Sequence, residues 1–432
     1  MLKTLTLKNG ICVATYNLPN VRSFHFRITA KGGSIVEPIK TQGLAHFMEH
    51  MLLQGIPSFP TVELLSEYIE SLSGTYNAVT SQHLISFYTT LPVTHTEDAV
   101  KISSEVFFES LFPEVALEKE RRVILEEIRQ GMDSTGYRLT KFFKETRFRK
   151  GSQLTAVGGG STRAIAKFTR ENLMDYWKKY LIPKNTYILA IGKFDSENLL
   201  KLLEKYFGRY EEERSFDGFP MFSKDHFSAR QVALRFDPKL RSNYIDITFP
   251  SLPAELPLKL RLQQSLLLTI LSNLSRSRLF KLLRHQLGIV YGVSAGSYTT
   301  DGLGYVQISS EAASGNLEQV ISLITQELSG FVKNGPTEEE LGVAKEFLSN
   351  RWLMLFDHPT SIAGWVENDL LWEERVRLPE EIIELIKNTD VGELISLMEK
   401  YWDFSKLNLS IQGAVRNTRE NVQKFSEILE VL

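Results

Sequence analysis

The amino-acid sequence predicts an α+β protein of two similar domains, each a mostly antiparallel β-sheet with helices packed on it. Three observations point there. The 432 residues exceed what one ordinary core encloses and suggest two to three domains. Strand-like stretches recur in the two halves at nearly equal intervals. Short hairpin signals such as Thr300-Asp301-Gly302 separate apolar runs that alternate with helical patterns.

The recurrence is visible in two places. Arg22-Ser23-Phe24-His25-Phe26-Arg27-Ile28-Thr29 and Arg241-Ser242-Asn243-Tyr244-Ile245-Asp246-Ile247-Thr248 share a strand pattern. Tyr187–Gly192 and Leu407–Gly413 are each an apolar strand closed by glycine. Between the halves, around 209–225, lie the charge run Glu211-Glu212-Glu213-Arg214, then Asp217-Gly218 and Pro220, a composition typical of linkers. The expected domains are 1–215 and 216–432.

Hydrophobic residues make up 43% and charged residues 24% of the chain, ordinary for a globular protein. The formal net charge of -2 leaves no basic surplus for a nucleic-acid backbone. The single cysteine, Cys12, sits in an apolar stretch and reads as a buried small hydrophobe; no intramolecular disulfide can form. The N-terminus alternates like a strand into an Asn9-Gly10 turn, without the apolar core of a signal peptide or the basic helix of a transit peptide. No apolar run of about twenty residues occurs, so no membrane partner is expected and the expected compartment is the cytoplasm. Gly158-Gly159-Gly160-Ser161 is not followed by Lys-Ser/Thr, so a phosphate loop is excluded and a flexible loop is expected.

The chemistry concentrates in Gly43-Leu44-Ala45-His46-Phe47-Met48-Glu49-His50-Met51-Leu52-Leu53. Apolar residues all round describe a buried helix, where histidines and a carboxylate are costly without partners. His46 and His50, four apart, project from one face, with Glu49 beside them. Two neutral imidazoles suit zinc, and the adjacent carboxylate suits proton abstraction from a metal-bound water. This is the inverted form of the zincin helix.

A catalytic zinc needs a third protein ligand. In Glu114–Ile128, Leu117, Ile124 and Ile128 share one helical stripe, Glu120 and Glu127 flank it, and Glu126 points away. Phase selects Glu127 or Glu120 over Glu126 and does not choose between the two. The plain alternative is a pair of satisfied core histidines with both glutamates in surface ion pairs.

These residues resemble the pitrilysin/insulinase family of inverted zinc peptidases, which includes the mitochondrial processing peptidases. His46-Phe47-Met48-Glu49-His50 matches its motif, and Glu127 follows after 76 residues, the family's spacing. The resemblance implies Glu127 as third ligand and Glu120 as a supporting group. Gly33-Ser34-Ile35-Val36-Glu37 looks like the family's Gly-Ser-x-x-Glu. Gly74–Thr80 looks like its Asn-Ala-x-Thr edge strand, implying that Asn77 and Ala78 bind substrate backbone by strand addition. Arg284 and Tyr291, at the end of a predicted glycine-stopped helix and the start of a strand, resemble its Arg-x6-Tyr element. That implies a tyrosine hydrogen bond to the developing oxyanion and an arginine contact to substrate carbonyls.

The resemblance spans nearly the whole chain. It implies a zinc-dependent endopeptidase with one zinc per chain, held in domain 1–215, and a domain 216–432 without a zinc motif. Its peptide substrates, or small unfolded polypeptides, would be cut in a closed chamber. Larger members join four such domains, so a two-domain chain implies a dimer, homodimeric or heterodimeric. Arg284 and Tyr291 would then act on the partner's zinc site. The rivals are a non-catalytic subunit on the same fold and an active subunit that needs a different partner chain.

Overall fold

The computed structural model describes residues 2–211, 213–373 and 375–432. Met1, Glu374 and Glu212 of the expected linker charge run lie outside the described residues. Six strands, β1 (Leu2–Thr6), β2 (Cys12–Asn17), β3 (Ser23–Lys31), β4 (Thr75–Thr80), β5 (Leu84–Pro92) and β6 (Thr186–Gly192), form one sheet ordered β1-β2-β6-β3-β5-β4. A second sheet, ordered β7-β11-β8-β10-β9, contains β7 (Gln231–Phe236), β8 (Asn243–Ser251), β9 (Val290–Thr300), β10 (Leu303–Ala312) and β11 (Asn408–Gly413).

With β1 set aside, the two sheets match strand for strand. Each has one parallel pair, β2 with β6 and β7 with β11, and is otherwise antiparallel. The repeated octamers become β3 and β8, each flanked on both sides. The closing glycines have a shared reason. A Cβ on Gly192 would lie 2.3 Å from the Ser23 carbonyl oxygen, and one on Gly413 would lie 2.3 Å from that of Ser242. No side chain fits where these strands cross.

Cys12, opening β2, is half-buried rather than fully enclosed, and burial raises its thiol pKa. Such a thiol is a weak nucleophile.

The chain forms two compact units. The first contains residues up to Ser134, Ala156–Pro220 and Leu355–Leu378; the second contains Thr135–Thr155, Met221–Met354 and Pro379–Leu432. The passage nearest the expected boundary at 215/216 falls between Pro220 and Met221. In the first unit the sheet carries α1 (Leu44–Leu52), α2 (Val62–Ser71) and α3 (Thr96–Phe108), and α4 (Glu114–Asp133) packs on α1. A helix from late in the sequence, Pro359–Trp372, also belongs to it. The reverse holds for α5 (Thr135–Arg147), which belongs to the second unit.

Both exchanged helices dock through charge, half-buried on the first sheet and almost fully enclosed on the second. Glu367 accepts hydrogen bonds from Arg27 Nε at 2.8 Å and Ser86 Oγ at 2.9 Å, covering the second face of β3. On the other sheet, Arg147 of α5 pairs with Asp246 of β8 at 2.9 Å, both side chains almost fully enclosed. Arg27 and Asp246 hold the same place in the repeated octamer, so the two docking pairs have opposite polarity. Burial of such pairs costs several kcal/mol per ion unless each is matched, so each contact strongly discriminates among partners. No helix among the described residues is long and apolar enough to cross a membrane.

Candidate metal centre

The metal motif lies on α1, whose Ala45, Phe47, Met48, Met51 and Leu52 are buried. The helix is therefore apolar on its inner faces, and His46, Glu49 and His50 share its one half-buried face. The helix packs on α4 and on β4. On α4 the buried stripe is Leu117, Glu120, Ile124 and Ile128. Glu126 is exposed beside Arg129, as helical phase requires.

Three ligand atoms converge. Nε2 of His46 and Nε2 of His50 are 3.3 Å apart. Glu127 Oε2 lies 3.6 Å from the latter and 3.8 Å from the former. Ligands about 2.0–2.1 Å from one tetrahedral zinc stand roughly 3.3–3.4 Å from each other, so this triangle has zinc dimensions. Glu49 completes the cluster: its carboxylate and both imidazoles offer ligand atoms all within 4.8 Å of one another.

The two rings are held differently. His50 Nδ1 is 2.9 Å from Oε2 of Glu120, a largely buried carboxylate. With Nδ1–H donating there, Nε2 presents its lone pair to the cluster. Burial opposes protonation of His50, but Glu120, Glu127 and Glu49 outweigh it and raise its pKa. His46 is shifted the other way, by burial first and then by the nearby His50. Its Nδ1 is buried beside the Gly159 backbone, which favours the protonated ring and partly opposes that shift.

The glycine run 158–160 is not the flexible loop expected. It packs on the start of α1, and a Cβ on Gly160 would lie 2.3 Å from Gly43 Cα. Ser161 N–H donates to the Gln42 carbonyl at 3.1 Å. Gly160 is there because two backbones meet, a contact that composition does not reveal.

Asn77 and Ala78 lie on β4, the outer strand of the first sheet. Ala78 N–H donates to Asn77 Oδ1 at 3.0 Å, and Thr80 Oγ1 donates to the Ala45 carbonyl on α1 at 3.2 Å. Arg284 and Tyr291 belong to the second unit, where the guanidinium lies 5.2 Å from the centre of the tyrosine ring. Tyr291 is 85% exposed. The predicted helix before them is α-helical only over Arg278–Phe280 and widens into π-helical turns over Lys281–Gln286, a distortion frequent at functional sites.

One residue without an assigned role is prominent here. Glu37, buried, accepts from Gly43 N–H at 2.8 Å and also from Ala45 N–H, capping α1. Sequence periodicity gives no hint of this, because the contact crosses a loop.

Comparison with known proteins agrees with the fold and with the expected peptidase family. Residues 12–157 match the model described as Insulinase (Peptidase family M16), and residues 167–348 match that of the Peptidase M16 inactive domain. The chain belongs to this peptidase family. An "Uncharacterized zinc protease" of Rickettsia felis is 25% identical, with 94% of this chain and 95% of that one covered. A "Probable mitochondrial-processing peptidase subunit beta" of Schizosaccharomyces pombe is 28% identical, with 93% and 89% covered. A crystal structure of a peptidase M16 inactive domain from Pseudomonas fluorescens shares the fold with a TM-score of 0.87 at 16% identity, covering 97% of this chain and 99% of that one.

Proposed function

We propose that this chain is a zinc-dependent endopeptidase acting on peptides or small unfolded polypeptides, with Glu49 as general base. The observation that carries the reading is the triangle of His46 Nε2, His50 Nε2 and Glu127 Oε2 with the Glu49 carboxylate beside it. The family membership and the zinc proteases among the relatives support it.

His46, His50 and Glu127 would hold one zinc, which when bound polarises a water and the scissile carbonyl. Glu120 fixes the tautomer of His50. Glu49 takes the proton of the attacking water and delivers it to the leaving amine. The free edge of β4 at Asn77 and Ala78 receives the substrate as an added strand, displacing the Asn77 side chain from the Ala78 amide. Tyr291 donates to the developing oxyanion and Arg284 to substrate carbonyls, from the partner chain of a dimer that closes around the substrate.

The match of 167–348 to an inactive-domain model concerns residues after Glu127, which agrees with one zinc per chain. The test is Glu49→Gln. Zinc content should be unchanged and peptide cleavage should fall by about 10²-fold or more. Full activity in that variant, or wild-type cleavage that survives a chelator, refutes the reading and favours a non-catalytic subunit.

A further inference from the structure

α1 begins without a side-chain cap of its own. Gly43, at its start, has φ of 105° and offers no hydroxyl or carboxylate. The first amides of a helix must then find acceptors elsewhere. Glu37 supplies them from six residues upstream: Oε2 takes the Gly43 N–H at 2.8 Å and Oε1 takes the Ala45 N–H. Burial pushes this carboxyl up to about 7, and the amides of Ala45, Gly43 and Leu44 pull against that rise.

Glu37 is itself anchored. The segment before it is laced to the turn between β4 and β5: Gly32 N–H donates to the His83 carbonyl at 2.8 Å, Ser34 N–H to that of Ser81 at 3.1 Å, and Ile35 N–H to that of Gln82 at 2.9 Å. A Cβ on Gly33 would lie 2.5 Å from the Ser81 carbonyl oxygen, so only glycine permits this contact. The Gly33 N–H donates to the buried Tyr176 hydroxyl at 3.2 Å.

We propose that Glu37 is a positioning residue for the metal centre. Its two carboxylate oxygens lock the first turn of α1, from which His46 projects, to the β4–β5 hairpin, which carries Asn77 and Ala78. The inference rests on the metal-centre reading above. The bridge matters because the register of α1 sets where the His46 ring sits, with Nδ1 against the Gly159 backbone and Nε2 in the triangle. A carboxylate also suits the positive end of the helix dipole.

The test compares wild type, Glu37→Gln and Glu37→Ala, each as the full chain. Zinc affinity is measured by competition with a chromophoric chelator. Amide exchange at 43–45 and thermal unfolding are measured on metal-free protein. The glutamine keeps the shape but offers one acceptor oxygen where two are used. Glu37→Gln should melt close to wild type, exchange faster at 43–45, and bind zinc about 10- to 100-fold more weakly, the range for groups behind a metal ligand. If Glu37→Ala does not fold, Glu37→Gln alone decides. Zinc affinity within threefold of wild type in a folded variant overturns the proposal and leaves the metal centre standing. A wild type that binds no zinc overturns both.

Discussion

Glu120 Oε2 meets His50 at Nδ1, the ring nitrogen opposite the one that faces His46, at 2.9 Å. The contact comes from the buried stripe of α4 and arrives two turns before Glu127 on the same helix. One helix thus supplies both a ligand and the group that orients another ligand. Glu120→Ala should weaken zinc binding about 10- to 100-fold while leaving zinc content measurable at saturating metal. Competition with a chelator reads the loss.

Removing a ligand should be more severe than removing its support. His50→Ala and Glu127→Ala should purify without stoichiometric zinc, whereas Glu49→Gln should retain it. Elemental analysis of the three variants separates ligand from base.

The dimer proposal has a genetic test. If Tyr291 serves the partner's site, a mixture of Glu49→Gln chains and Tyr291→Phe chains contains mixed dimers with one intact pair of Glu49 and Tyr291. Activity should reappear on mixing, to about a quarter of wild type at most for random exchange at equal amounts. Sizing of the same mixture checks that dimers form. Two inactive variants that stay inactive when shown to mix would place both residues' roles in one chain.

Acid should loosen the first unit. Burial lowers His83 to about 4, and burial together with Arg27 lowers His25 to about 4. Both values lie below the ordinary 6.5, so the unfolded chain binds more protons between those limits. Stability present above pH 6.5 is therefore lost as pH falls toward 4, with a slope approaching about 1.4 kcal/mol per pH unit for each histidine. Denaturant titrations of His83→Gln from pH 7 to 5 should show a shallower fall than wild type.

Gly160→Ala tests the packed glycine run. The added methyl would collide with Gly43 backbone, and φ at Gly160 is 85°. A cost of about 1–3 kcal/mol is expected, with weaker zinc binding because the displaced backbone is the start of α1. Gly158→Ala, which meets nothing within 4 Å, is the control.

Local chemistry was legible in the sequence where periodicity carried it. The face shared by His46, Glu49 and His50 follows from spacing alone, and the inward phase of Glu120 follows from Leu117, Ile124 and Ile128; Glu127, at the edge of that stripe, stays half-exposed and reaches the histidines from there. Strands β3 and β8 were readable because the octamers keep their pattern. Contacts that cross loops were not: Glu37 reaches α1 through space, and Gly160 is chosen by a backbone met only after folding. The widened turns at 281–286 left no mark either, since π-helical geometry has no simple residue period.

The exchanged helices bear on how the chain survives a cut. A break in the stretch 209–220 would sever the halves covalently, yet each unit would still own a piece from the other side of the nick: Pro359–Trp372 in one case, α5 in the other. The fragments should remain interlocked and co-purify, and neither should fold well if expressed alone. Reversed docking charges act as an address label. Laid on the wrong sheet, Arg147 would face Arg27 and Glu367 would face Asp246, a like-charge burial that misassembled fragments could not tolerate.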